Sequence, residues 1–485
     1  MKTSTIITIT AGVLVLSACS GFLDVKPTNS GDAKTAVRTA GDAQVVINGL
    51  MRSMTSVNYY GRNFILYGDA RGGDLTIASQ GRGQDALYTF NHTASSNSYS
   101  GFWSHLYDGI LQINNLLENI ASVESEDSNE DFGAIKGQAL TARALIYFDL
   151  VRLYGKAYTD DPSAYGVPNI TTTLPYNAQP LRASVAENYE QIVRDLEAAA
   201  PLLPTTHTNG YLNYYANKAL QARVFLHMGD YPGALDAAEE VINEGGYQLY
   251  ANTDWNSSWT RQFGSESIFE LGVFPDEADL GSGSLGFYLR RRAHGASTAA
   301  GWFMASDYFL NRLSEDEGDV RWGVMAQDES EDPHLGSCYK YSGSVDLVGD
   351  GKRDNNTAVN IKVIRLSEMY LIAAEAALPT DPSKAAGYLN EIRKRAPNLP
   401  PATAASITLD MIVDERSKEL FAEGHRFFDM MRLNRSIEFN DEFAGITPSS
   451  RPKIIDRSFY RTILPIPTGE IYANPAIGQQ QNPEY

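Results

Sequence analysis

Cysteine is almost absent from this chain of 485 residues: Cys19 and Cys338 are all it has. Two cysteines cannot supply a disulfide framework, so an exported form must be held together by its core. Positive charge is also scarce. Lys and Arg total 40 against 59 Asp and Glu, a formal charge of −19. Such a chain repels phosphate backbones, which excludes nucleic acid as an expected partner. The seven histidines (His92, His105, His207, His227, His294, His334 and His425) include no i, i+4 pair and no H-E-x-x-H. With Cys338 alone in the body of the chain, zinc-ligand spacing is missing, and no metal or cofactor is expected. No G-x-S-x-G elbow is present, so a hydrolase serine has no support.

Long apolar runs are likewise missing. The one at the N-terminus, Thr5–Ala18, follows Lys2 and spans about 14 residues, short of the roughly 20 that cross a bilayer. It ends Leu16-Ser17-Ala18-Cys19. A short apolar core, small residues and then cysteine resemble a bacterial lipoprotein signal. Cleavage before Cys19 and acylation of its thiol would tether a soluble body to a membrane. The alternative is a plain secretory signal with an incidental cysteine. Residues 1–18 are therefore read as a signal peptide and 19–40, rich in Thr, Ser, Gly and Asp, as a lipidated tether. Residues 41–485 are read as a single domain.

Hydrophobic residues make up 43% of the chain, enough for a sizeable core. From Trp103 the pattern is helical: Trp103, Leu106, Ile110, Ile113, Leu117 and Ile120 share one face, and Trp103 is expected in the core. A second helix is expected over about 134–154, with Leu140, Ala144, Tyr147, Phe148, Val151 and Tyr154 on one face and Gly155 as its stop. A third is expected over 183–199, capped by Ser184 with Glu187 three residues on. Ala216–His227, then Gly229-Asp230-Tyr231, then Ala234–Asn243 read as a tetratricopeptide-type hairpin, with Gly229 in the tight turn. Similar pairs are expected at 366–395 and over 407–421 with 424–434. A long insertion, about 245–360, separates them and reads as loops, short strands and a few short helices.

Three motifs invite a functional reading. Residues 281–286 match G-x-G-x-x-G, but Pro275-Asp276-Glu277-Ala278-Asp279 before them is a poor strand for a dinucleotide site. The loop from Asp346 to Asn356 is rich in acids and amides and could hold calcium, yet it lacks EF-hand spacing and also reads as a solvated turn. The segment 414–432 carries Asp414, Glu415, Arg416, Glu419, Glu423, Arg426, Asp429 and Arg432. It reads as an ion-pair network, including i, i+3 pairs, rather than an anion site.

Taken in order, several segments resemble the SusD/RagB family of outer-membrane nutrient-binding lipoproteins. They are Cys19 followed by Phe22-Leu23-Asp24-Val25-Lys26-Pro27, the run Arg143–Gly155, Gly229-Asp230-Tyr231, and Arg365–Ala376. Glu415-Arg416, Glu419-Leu420, Glu423-Gly424-His425-Arg426 and Asp429 follow, then Leu464-Pro465-Ile466-Pro467, Asn474-Pro475 and Gln481-Asn482-Pro483-Glu484-Tyr485. The resemblance implies a mainly α fold of tetratricopeptide-like hairpins with a less regular second half. It implies a lipid-anchored protein on the outer-membrane surface that captures oligosaccharide or polysaccharide and delivers it to a TonB-dependent SusC-like transporter, without catalysis. Capture of peptides or another nutrient on the same architecture remains open, as does a surface glycoside hydrolase, which needs only two facing carboxylates.

In this family the ligand site usually draws on loops from the first hundred residues and from the insertion. Sugars present apolar faces and a rim of hydroxyls, so aromatic rings beside polar side chains suit them. Two segments fit. One supplies Asp69, Arg71, Asp74, Tyr88 and Asn91; the other supplies Tyr288, Arg290, Trp302 and Tyr308. Trp302 lies outside any helical stripe, so burial is less demanded of it than of Trp103.

Overall fold

Thr39 caps the first helix. Its hydroxyl accepts from Asp42 N while the Asp42 carboxylate reaches back to Thr39 N, a capping box that opens α1 (Ala40–Met54). In the computed structural model the described residues are 36–78, 80, 84–95, 99–126, 129–273, 283–289, 301–327, 335–341, 343 and 359–485. Cys19, Arg290, the 346–356 loop and the first residues of the 281–286 motif lie outside them. Val37 is already buried, so the packed fold begins a few residues inside the segment read as tether.

After α1 come α2 (Asn63–Ala70), β1 (Leu75–Ile77) and α3 (Asp85–Thr89), then two long helices, α4 (Ser100–Glu124) and α5 (Gly133–Tyr154). Trp103, Leu106, Ile110, Ile113 and Ile120 of α4 are buried, as their spacing predicts. α5 differs from its reading as a one-faced helix. It is enclosed on nearly every side, because α1, α4 and α6 (Val185–Ala199) all pack on it. α6 opens with the expected capping box of Ser184 and Glu187.

The hairpin α7 (Tyr214–Met228) and α8 (Tyr231–Glu244) turns at Gly229, whose φ of +76° is left-handed. Gly229 N donates to Leu226 O, and Asp230 N donates to Phe225 O at 3.0 Å, closing the helix end. The region read as an insertion holds short elements: α9 (Asn252–Ser258), β2 (Ser267–Leu271), α10 (Leu285–Leu289), β3 (Phe303–Ala305), α11 (Asp307–Leu313), β4 (Met325–Gln327) and β5 (Leu335–Cys338). The strands pair two by two and antiparallel, β1 with β3 and β4 with β5, while β2 pairs with β6 (Ile361–Arg365).

β6 runs directly into α12 (Leu366–Ala377), followed by α13 (Pro382–Arg393), α14 (Leu409–Glu419) and α15 (Arg426–Arg432). α12 packs on α13, α14 and, across the insertion, on α8 and α7. The separated hairpins thus form one stack. The charged stretch 414–432 spans two helices, the pair expected at 407–421 and 424–434. Ala422 and Gly424 both take positive φ, and the chain turns there. A small ladder, β7 (Ile437–Glu438) with β8 (Ile454–Ile455), and α16 (Thr468–Ala473) complete the chain.

Candidate functional site

The β1–β3 ladder places an aromatic corner. Ile77 pairs with Phe303, and Ala78 N donates to Trp302 O at 2.9 Å, extending the pairing by one residue. Gly301, at φ +56°, lets the chain bend back so that its N–H donates to Phe287 O in the middle of α10. Ser284 starts α10, its hydroxyl accepting from Phe287 N. These local constraints bring three rings together. The Tyr288 and Trp302 centroids are 4.9 Å apart with planes at 81°, and Phe287 stands 6.2 Å from Trp302 at 73°. The rings therefore form a corner of nearly perpendicular faces, not a flat stack.

Arg62 closes the corner. Its guanidinium lies 5.0 Å from the Tyr288 ring centre, and Nη1 donates to Tyr288 Oη and to Gly283 O at 3.3 Å. Tyr288 is buried, whereas Trp302 and Phe287 remain half-buried. Trp302 Nε1 has no hydrogen-bond partner among the described residues. That N–H is itself buried, so what the corner offers from outside is apolar ring surface beside a cation, a set suited to a molecule with a C–H face and hydroxyls.

The remaining expected ligand residues lie elsewhere. Asp69, Arg71, Asp74 and Tyr88 are interior side chains, at most 2% exposed, and this corrects their reading as contacts for a ligand arriving from solvent. Asp69 Oδ2 accepts from Gly424 N at 2.6 Å, and burial, only partly offset by that bond, pushes its carboxyl well above the usual range. Asp74 accepts from Ser417 Oγ at 2.6 Å and pairs with Arg312 and Arg426. Arg71 sits among rings, 3.7 Å from Phe90 and 4.5 Å from Tyr67, and donates to Arg461 O. Tyr88 lies under Arg451, whose Nε donates to its carbonyl. These residues fasten α2 and β1 to the C-terminal helices. Asn91 is exposed on the loop after α3. Tyr308, on α11, donates to Glu438 Oε1 at 3.0 Å and belongs to another patch. The structure thus brings Tyr288 and Trp302 together and adds Arg62 and Phe287. Phe287 was legible as the neighbour of Tyr288. Arg62, 226 residues from Tyr288 in sequence, carried no local signal.

The buried glutamates in and around α14 are engaged by cations. Arg365 donates to Glu266, Glu419 and Glu423 at 2.8–3.1 Å, Lys340 to Glu423 at 2.8 Å, and Arg321 pairs with Glu415 at 2.6 Å. Burial alone would raise Glu419, but Arg395, Arg365 and Arg321 more than offset it and hold its pKa at about 2. This is the ion-pair network expected of the charged stretch, and it ties α14 to β6 and the insertion.

Two family models cover most of the chain. The SusD family matches residues 296–485, and a family described as starch-binding and associating with the outer membrane matches 21–226. A SusD superfamily structure from Bacteroides thetaiotaomicron is 35% identical, covers 92% of this chain and 100% of its own, and superposes with a TM-score of 0.83. The chain belongs to the SusD family. The SusD-like protein P2 of Formosa agariphila is 27% identical over 98% of both chains. A laminarin-binding SusD-like protein, 23% identical, covers 92% of this chain and 99% of its own with a TM-score of 0.68, and shares the fold. The mainly helical, hairpin-built architecture is that of SusD superfamily structures.

Proposed function

We propose that this SusD family member is a non-catalytic glycan-capture lipoprotein of the outer-membrane surface. It binds oligosaccharide or polysaccharide at the corner of Arg62, Phe287, Tyr288 and Trp302. Residues 1–18 are removed, Cys19 carries the lipid, and the ligand passes to a TonB-dependent SusC-like transporter. The observation that carries the reading is Trp302: half-buried and perpendicular to Tyr288, whose ring in turn carries the Arg62 guanidinium. The starch-binding, outer-membrane description of the family matching 21–226 and the laminarin-binding relative support carbohydrate as the ligand class. A hydrolase reading has less support, because the buried glutamates around Arg365 are committed to cations.

The test is calorimetry of the mature protein against starch, laminarin and other oligosaccharides, with a peptide pool in parallel and product analysis after long incubation. Saturable glycan binding with intact ligand is expected. Binding of peptides alone would overturn the ligand class, and cleavage products would overturn the non-catalytic role.

A further inference from the structure

A second surface, built from other residues, has the properties of a protein-docking groove. The segment after α5 crosses the outer side of α4 as a strap. Tyr107 Oη donates to Pro168 O, Asn114 Nδ2 to Ile170 O, and Glu118 accepts from both Thr173 N and Thr173 Oγ1. Between strap and helix lies a groove of about 410 Å³ whose walls include Ile110, Leu111, Pro168, Ile170 and Leu174. The strap is tied down at several points, so the groove is preformed.

Its rim exposes large apolar side chains that the fold does not use. Leu111 is 48% exposed and Leu174 42%, both lining the groove. Leu181, beside the lining residue Pro180, is 52% exposed, and Tyr176 in the same strap is fully exposed. Tyr472 is 81% exposed on α16, the helix that also brings Glu470 to the groove; Asn474, just beyond it, donates to Pro180 O. Most exposed large hydrophobics among the described residues thus lie on this strap, helix and rim. A gathering of exposed apolar side chains around one groove marks an interaction site.

Charge selects the partner. Asp108 and Glu470 line the groove, and no lysine or arginine does. Arg182, next to Leu181, turns inward and donates to Tyr154 O, Tyr165 O and Gly166 O. We propose that this groove docks a segment of a partner protein that carries aliphatic or aromatic anchors flanked by basic residues. Trp103 is not a sugar platform here. Its ring is 5% exposed, packed edge-on with Tyr154, and its Nε1 donates to Glu470. The acidic rim likewise opposes anionic headgroups.

The test uses the mature protein and three labelled peptides followed by fluorescence anisotropy: a Leu-Phe pair flanked by lysines, the same pair flanked by glutamates, and a Ser-Ser version flanked by lysines. The first should bind saturably and the other two at least about tenfold more weakly, the Ser-Ser version because a few anchors carry the affinity and the acidic one because its glutamates meet Asp108 and Glu470. Leu111→Arg and Leu174→Arg, at exposed positions with melts checked against wild type, should each lower that binding by about tenfold or more. Asp108→Lys should lower it less, and Trp302→Ala should leave it unchanged, which separates this groove from the proposed glycan site. Equal binding of the acidic peptide, no binding of the basic one, or binding that survives both arginine variants would overturn the proposal. So would displacement by laminarin, or self-association abolished by Leu111→Arg, which would assign the groove to glycan or to a second copy.

Discussion

Arg223 and Glu368 form a two-pronged ion pair, Nε and Nη2 reaching the carboxylate at 2.7 and 2.6 Å, with both side chains at most 4% exposed. Arg223 lies on α7 and Glu368 on α12, so the pair joins helical hairpins that the insertion separates in sequence. Arg223 Nη2 also donates to Val363 O in β6. Arg223→Met should strand Glu368 in the interior and lower stability by about 3–5 kcal/mol, whereas the double change Arg223→Met with Glu368→Leu should recover most of the loss. Urea unfolding of both variants checks this. A single variant as stable as wild type would show that the pair does not clamp the hairpins.

The same neighbourhood sets an acid response. Burial lowers the His425 pKa to about 4; Glu368 partly offsets this, while Arg223 and Arg416 add to it. Burial also drives His227 well below its ordinary value. The unfolded chain therefore takes up these protons first, and the contribution of the histidines should be complete above about pH 6.5 and fall between about 6.5 and 4. For Glu368 burial raises the pKa, but Arg223 outweighs it and holds the group at about 2, so its contribution is complete above the unfolded value of 4.5 and is lost between about 4.5 and 2. Two successive declines in the unfolding midpoint are expected as pH falls. His425→Gln should shrink the first and leave the second. A midpoint that does not change between pH 7 and 4.5 would contradict this account.

What could be read from sequence was what local rules determine. The α6 capping box lies within four residues, and Gly229 ends a helix by its own backbone freedom, so both were visible. The α4 face followed from spacing. The enclosure of α5 was not legible, because a single hydrophobic stripe predicts one neighbour and the fold supplies several. The site suffered most. Asp69, Arg71 and Asp74 looked like ligand contacts because polar residues near a loop carry no mark of what they will meet. Their partners Gly424, Arg461 and Ser417 lie more than 340 residues away in sequence. Tyr288 and Trp302 were singled out for their rings, and the structure brings those rings together.

Two glycines should respond differently. At Gly229 an added Cβ would meet nothing nearer than Thr159 Cγ2 at 3.6 Å, so the cost is conformational. Gly229→Val should destabilise by about 1–3 kcal/mol and Gly229→Asn, which tolerates positive φ, by less. At Gly68 a Cβ would stand 2.1 Å from Gly424 O, where α2 crosses the turn between α14 and α15. Gly68→Ala should therefore cost about 1–3 kcal/mol or more through overpacking, with no relief from any backbone-compatible residue. Thermal melts decide both; an unshifted melt for Gly229→Val would remove the turn argument.

The anchor proposal makes its own prediction. Cys19→Ala should release the protein from the membrane fraction, since no helix among the described residues is long and apolar enough to cross a membrane. The fractionation should be done with the partner transporter deleted, because direct docking would mask the release. Retention in the membrane under those conditions would refute lipidation at Cys19 as the anchor.

Trp302 and Trp103 separate binding from folding. Trp103 is packed edge-on against Tyr154 at 4.9 Å, and its Nε1 donates to Glu470 at 3.0 Å, so its truncation removes buried area and a hydrogen bond together. Trp103→Ala should lower stability by about 3–5 kcal/mol. Trp302 is half-buried, and its N–H is unpartnered, so the fold gains less from it. Trp302→Ala should weaken glycan binding by about 1–2 kcal/mol with a much smaller loss in the melt. Trp302→Phe should restore part of the affinity, because the ring face returns without the donor. Calorimetry and melting of the three variants read both quantities. Wild-type affinity in Trp302→Ala would move the glycan site away from the corner, and collapse of its melt would make Trp302 a core residue like Trp103.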